Sequence, residues 1–168
     1  AVPTDGRLAW DAVAIEDRMN AGSEQPPIRR WKYVSPGYFH AMGTQLIAGR
    51  DITWSDIDAG GKVAVISENM ARELWREPAA AIGKRIREFP RNDPNFWREI
   101  VGVVTDVHED GPQQKAPTMV YWPIKMENFL GNPVYGTPAI AFVIRSKRAG
   151  DESLLDEVRK AVWSVNPN

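Results

Sequence analysis

The apolar residues of this chain come in short runs, and glycine or proline follows most of them within a few positions. Arg30-Trp31-Lys32-Tyr33-Val34 alternates polar and apolar, the period-2 signature of a half-buried strand. Val63-Ala64-Val65-Ile66 is a compact apolar run with the length of a buried strand. Leu8 to Ile15, Leu46-Ile47-Ala48 and Met119 to Ile124 supply further strands, the last held off a central position by Pro123. Ile82 to Glu88 and Glu99 to Val107 flank the turn cluster Pro90 to Pro94 and read as a hairpin with a long tip. Ala139 to Arg145 sets Ile140, Phe142 and Ile144 on one side of another strand.

Three stretches have helical spacing instead. Ser35-Pro36 reads as a helix start, a hydroxyl cap followed by proline at the first helical position, and Gly43 ends that helix. Ser67 caps a second helix with Met70, Ala71, Leu74 and Trp75 on one face, stopped by Pro78. Asp151 caps the last, in which Leu154, Leu155, Val158, Ala161, Val162 and Val165 make a continuous stripe, with Asp156 and Lys160 on its outer side. Strands mixed with separate helices indicate an α+β chain with mixed or antiparallel sheets. Asp56 to Gly61 and Asn128 to Pro138 are turn-rich and mark two boundaries, and Asn20 to Pro27 is a polar connector. The simplest parse is nested: residues 1–57 and 135–168 form one lobe, and residues 58–134 are inserted into it.

Charge and composition narrow the function classes. Lys plus Arg number 21 against 22 for Asp plus Glu, so there is no basic field for a phosphate backbone, which argues against nucleic acid. The absence of cysteine removes disulfides, thiolate metal sites and thiol nucleophiles together. The longest uncharged stretch, Asn128 to Ile144, contains Gly131, Pro133, Gly136 and Pro138 and cannot be a membrane-spanning helix. The chain begins at Ala1 rather than Met, and Asn166-Pro167-Asn168 follow directly on a helix. It reads as a piece cut from a longer protein.

Catalytic and cofactor motifs are incomplete wherever the sequence approaches one. Gly61-Lys62 is followed by Val63 and Gly83-Lys84 by Arg85, so neither is a phosphate-binding loop, and no serine has the paired glycines of a nucleophile elbow. His40 reads as a packed or surface histidine. Asp106, His108, Glu109 and Asp110 fall within five positions and have donor types that suit a cation, but a strand running out into a charged turn at Asp110-Gly111-Pro112 is the simpler explanation. Arg85 and Arg87 share one face of a strand, a solvated face by default. The seven tryptophans, Trp10, Trp31, Trp54, Trp75, Trp97, Trp122 and Trp163, are scattered and read mostly as core rather than as a sugar-stacking platform. No catalytic, cofactor-binding or metal residue is assigned.

Val34-Ser35-Pro36-Gly37-Tyr38-Phe39, then Met42-Gly43, then Leu46-Ile47-Ala48-Gly49-Arg50-Asp51 resembles the opening signature of MacB-like periplasmic core domains. Val63 to Glu68, Ala71-Arg72 and Ile82 to Ile86 resemble the middle block of that family. Ile100 to Val107, Val120 to Pro123 and the terminal Ala139 to Val165 resemble its later elements. Glu77 to Ala81 departs from the pattern. The resemblance implies a porter-like α+β lobe with an inserted, sabre-like α+β lobe. It further implies an extracytoplasmic domain between the first two membrane helices of an ABC transporter permease of the MacB/FtsX-like kind. Such a domain is a non-catalytic periplasmic part of a bacterial inner-membrane protein, carries no cofactor, and belongs to a homodimer. It transmits the closure of cytoplasmic ATPase subunits towards an adaptor, an outer-membrane channel or an envelope substrate. Two other classes stand beside this reading: a free secreted module binding glycan or peptide, and a small metal-dependent hydrolase centred on Asp106 and His108.

Overall fold

In a computed structural model, residues 9–18, 26–88, 96–126, 141–165 and the backbone of 135–136 are described. Seven strands share one sheet: β1 (Trp10–Ile15), β2 (Ile28–Val34), β3 (Leu46–Gly49), β4 (Val63–Ser67), β5 (Arg85–Glu88), β6 (Arg98–Val104) and β7 (Met119–Pro123). Their order is β3-β6-β4-β7-β2-β1-β5, and β5 returns to pair with β6. Six strands therefore close a ring, and β3 lies outside it. One edge of β6 makes this geometry: its start pairs with β5 through Arg85↔Glu99, and its end with β3 through Leu46↔Val104. The sheet is mixed, with β2/β7 and β4/β6 parallel and the other pairs antiparallel.

Alternation along the strands builds two apolar cores. Val13, Ile15, Ala64, Ile66, Ile86, Ile100, Val103, Val120 and Trp122 cluster on one face, with Trp31 and Tyr33 against them. All six ring strands contribute to this cluster, so it is the inside of the ring. Helix α3 (Glu68–Trp75) adds Met70, Ala71 and Leu74, the face expected of it. The other face carries Val34, Val65, Val101, Val104, Met119 and Tyr121. It is covered by Phe39 of α1 (Tyr38–Met42) and Ile57 of α2 (Trp54–Asp58). Beyond the sheet stand a short ladder of β8 (Lys125–Met126) with β9 (Tyr135–Gly136), and the last helix, α4 (Glu152–Val165).

Several expectations need correction. β7 is a central strand between β4 and β2; Pro123 is its last residue, where a missing N–H costs the ladder little. Helix α1 starts after Gly37 rather than on a Ser35 cap. Its first turn closes through Tyr38 N–H to the Ser35 carbonyl at 3.1 Å, with Gly37 at a φ of 83°. Its C-terminus is as expected, with Gly43 left-handed and its N–H on the His40 carbonyl. Asp56 to Gly61 is the end of α2 and a glycine turn. A capping box made that helix: Thr53 Oγ1 accepts from Asp56 N, and Asp56 accepts from Thr53 N.

The boundary expected near 57 does not divide two sheets, because β2 pairs with β7 and β3 with β6 across it. The apolar pattern on both sides of residue 57 is completed only by these long-range pairings. The strand expected over 139–145 is absent from its described part, where 141–146 form no ladder and Phe142 and Ile144 are exposed. The turn-rich Asn20 to Pro27, the hairpin tip Pro90 to Pro94 and the boundary at Asn128 to Pro138 lie wholly or largely outside the described residues.

Candidate functional site

The residues with the most unusual surroundings gather where the loop from β6 to β7 crosses the sheet. This loop, 105–118, is acidic at its start, with Asp106, Glu109 and Asp110. Its four candidate metal donors go to four separate tasks. Asp106 accepts the Asn69 backbone N–H at 2.8 Å, at the first turn of α3. His108 Nδ1 lies 2.7 Å from the Gln114 carbonyl, closing the loop on itself. Glu109 turns inward and accepts from Lys32 Nζ at 2.7 Å, with both side chains buried. Asp110 accepts from Arg30 Nη1 at 2.8 Å. Among the described residues no three His, Cys, Asp or Glu side chains converge in a way that suits a metal.

The far end of the loop is held as firmly. Ser67 Oγ donates to Asn69 Oδ1 at 2.6 Å and accepts from Met119 N at 2.8 Å. Asn69 Nδ2 donates to the Ala116 and Pro117 carbonyls. Ser67 therefore spends its hydroxyl joining β4 to β7 rather than capping α3. Arg29 reaches the same place from β2, with paired bonds to Glu73 of α3 and a third to Thr118 Oγ1 at 3.0 Å. The Arg29 guanidinium beside Glu73 holds that carboxyl below the usual carboxylate range.

Next to this latch lies Tyr121. It pairs with Lys32 across the β2/β7 ladder and packs edge-on to Phe39, ring centroids 5.0 Å apart. Burial first, and then Tyr38, Glu109 and Asp106, push its hydroxyl far above the usual phenol range. The hydroxyl and Glu109 Oε1 are both buried without a hydrogen-bond partner. A second buried ion pair, Arg98 with Glu88 at 2.9 Å, sits inside the ring with the Arg98 guanidinium over Trp122. Chemically these groups are paired charges and a protonated phenol. They tie a loop, a helix and three strands into one piece.

His40 is exposed and its carbonyl accepts from Arg145 Nη1 at 3.0 Å. Arg85 is exposed and paired with Glu16, but Arg87 is buried and stacks on Trp97 at 4.5 Å, so that face is not simply solvated. Trp122 is core and Trp31 and Trp75 pack against it. Trp10, Trp54 and Trp163 are exposed on three different elements. Sequence reasoning missed Lys32, Arg29 and Asn69. Lys32 reads as a solvent-facing position of an alternating strand, and only long-range folding brings Glu109 over it; Arg29 stands on the opposite face of β2 and Asn69 on α3, where no local pattern announces their partners.

The model of the MacB-like periplasmic core domain matches residues 9–162. This chain belongs to that family. A search of the curated proteins matches none. Among solved structures, the periplasmic region of MacB from Actinobacillus actinomycetemcomitans is 19% identical with a TM-score of 0.53, covering 92% of this chain and 64% of its own. A domain assigned to a permease protein from Porphyromonas gingivalis is 21% identical with a TM-score of 0.51, covering 91% and 66%. The MacB-like core-domain fold is thus shared, and this chain spans a little under two thirds of the length of both relatives. In this MacB-like domain the conspicuous polar residues belong to the sheet's internal joints. No helix of the described residues is long and apolar enough to cross a membrane.

Proposed function

We propose that this chain is the non-catalytic, extracytoplasmic body of an ABC transporter permease, displaced as a unit when cytoplasmic ATPase subunits close. The observation that carries this reading is the closed ring of six strands, with its crossing loop fastened by the Lys32–Glu109 pair and by the Arg29 bond to Thr118. A part that passes on movement must resist shear, and a ring whose strands all have two neighbours does so better than an open sheet. The match to a periplasmic core family supports the setting. The resemblance to permease domains supplies the partners: membrane helices of the same protein, ATPase subunits, a second copy in a homodimer, and an adaptor or envelope substrate.

Moving a two-posture equilibrium from 1:99 to 99:1 needs about 5.5 kcal/mol of differential interaction. Opening a buried ion pair by losing one partner costs about 3–5 kcal/mol by itself. The switching energy therefore comes from the ATPases and the membrane helices, and the body keeps one posture throughout.

The test uses the absence of native cysteine in these residues. Ala12 and Ile28 are directly opposed on β1 and β2, a separation that antiparallel partners and disulfides share. A disulfide between Ala12→Cys and Ile28→Cys in the full permease should leave ATP-driven transport unchanged, because the body does not deform. Transport lost on oxidation and restored by reductant would contradict the proposal.

A further inference from the structure

Two unusual properties meet at Arg76, where α3 ends. Trp75 packs against the core, and Pro78, the first residue of a 3-10 turn (Pro78–Ala81), is buried, so the chain has only Arg76 and Glu77 in which to turn. Glu77 precedes proline and is held extended, at φ −102° and ψ 127°. The reversal therefore falls on Arg76, at φ 67° and ψ −51°, with the Glu77 N–H on the Trp75 carbonyl at 2.8 Å. This is the rare, strained form of the three-residue turn. Among the described residues Arg76 alone takes a positive φ without being glycine, which would adopt it at no steric cost.

The side chain gives nothing back to the fold. Arg76 is exposed and has no hydrogen-bond, ion-pair or ring partner among the described residues. Every other arginine of those residues has one. The surroundings carry both signs. Arg18 donates to the Leu74 carbonyl at the same helix end, Asp17 pairs with Lys84 at 2.6 Å, and Glu16 pairs with Arg85. Glu77 is exposed beside Arg76, and Ala79 and Ala80 are exposed and small, so another surface can come close.

A residue that strains the backbone and holds nothing within its own chain has its use outside it. We propose that Arg76 is a docking residue, whose guanidinium receives a carboxylate of a different protein at the α3 end of the body. An unpaired guanidinium offers a carboxylate two parallel hydrogen bonds. An anionic lipid surface would meet Glu16, Asp17 and Glu77 as well and be repelled, whereas a protein can set an opposite charge against each. A second copy of the chain has only Glu77 free to offer here, because Glu16 and Asp17 are already paired. The proposal rests on the moved-body reading only for the presence of such partners. Its readouts use neither ATP nor transport, so the two can fail separately.

In the 168-residue chain Arg76→Gly should raise the Tm by about 2 °C or more, while Arg76→Lys leaves it unchanged. A Tm that stays or falls with glycine would overturn the proposal. Contact is read from a single cysteine at Ala80, in a chain that has none of its own. In membranes holding the assembled transporter, cleared of other cysteines, Ala80→Cys should react with a maleimide about tenfold or more slowly than in the 168-residue chain. Asp58→Cys, exposed on α2, should keep its rate. Adding Arg76→Gly or Arg76→Glu should restore the fast reaction at position 80. Equal rates at position 80 in the two settings, or protection that survives both substitutions, would overturn the proposal. So would protection of the 168-residue chain by phosphatidylglycerol vesicles, or protection that grows with its own concentration.

Discussion

Lys32 and Glu109 stand 77 positions apart in the sequence and close a 2.7 Å ion pair beneath the β6–β7 loop, both side chains nearly without solvent contact. Breaking such a pair from one side leaves a buried charge unmatched. Glu109→Ala should lower the unfolding free energy by about 3–5 kcal/mol in urea titrations, whereas Lys32→Met with Glu109→Leu should recover most of that loss. A single-variant loss below about 1 kcal/mol would mean the loop is not fastened there.

The seam between β3 and β6 depends on two glycines. A Cβ at Gly102 would stand 2.2 Å from the Arg50 carbonyl oxygen, and one at Gly49 would stand 2.2 Å from that of Val101. Gly49 also has a φ of 73°, so a side chain there is strained twice over. Each glycine-to-alanine change should cost at least about 1–3 kcal/mol and loosen β3, read as a lower Tm and faster amide exchange at 46–49. An unchanged Tm for both would contradict the close approach.

Much of the fold was legible because the alternation of β2, the runs of β4 and β7 and the stripe of α3 are local signals that burial enforces. Strand order was not. Nothing local to Arg98–Val104 says that one of its edges serves both β3 and β5, or that Pro123 ends a central strand. The same limit hid the latch. Lys32 reads as a solvent-facing lysine until Glu109 is brought over it, and Asp106, His108 and Glu109 read as one cluster until each is seen to have its own partner. At Ala139–Arg145 the pattern of a strand was visible, but a strand exists only with a neighbour.

Acid should weaken the α2 corner in a defined window. Paired bonds from Arg50, with those from Thr53, hold the Asp56 carboxyl at about 2, below its ordinary 3.8. A carboxylate lowered in the folded state adds stability above its ordinary value, and that stability is lost as pH falls through the folded value. Asp56→Asn should therefore cost about 1 kcal/mol at neutral pH, the upper end for an ion pair open to solvent on one side. Its Tm deficit should shrink as pH drops from 4 to 2. A deficit that stays constant over that range would place the contribution elsewhere. Glu73, lowered by Arg29, acts in the same sense.

Tyr121 offers a check on the interior. Its hydroxyl is buried without a hydrogen-bond partner, and an unsatisfied buried group of this kind costs about 1–3 kcal/mol. Tyr121→Phe should keep or raise the Tm while preserving the packing on Phe39. A clear fall would show that the hydroxyl is bonded.

The central claim is that the ring moves without changing shape. Spin labels at Lys62, just before β4, and Gln113, in the β6–β7 loop near the other end of that strand, both exposed, measure the body itself in the full permease. Labels at Gln113 in both copies of the dimer measure its displacement. Pulsed dipolar spectroscopy with and without ATP should give one unchanged distance distribution within the body and a shifted one between the copies. A within-body distribution that changes with nucleotide, or no shift between the copies, would contradict the account.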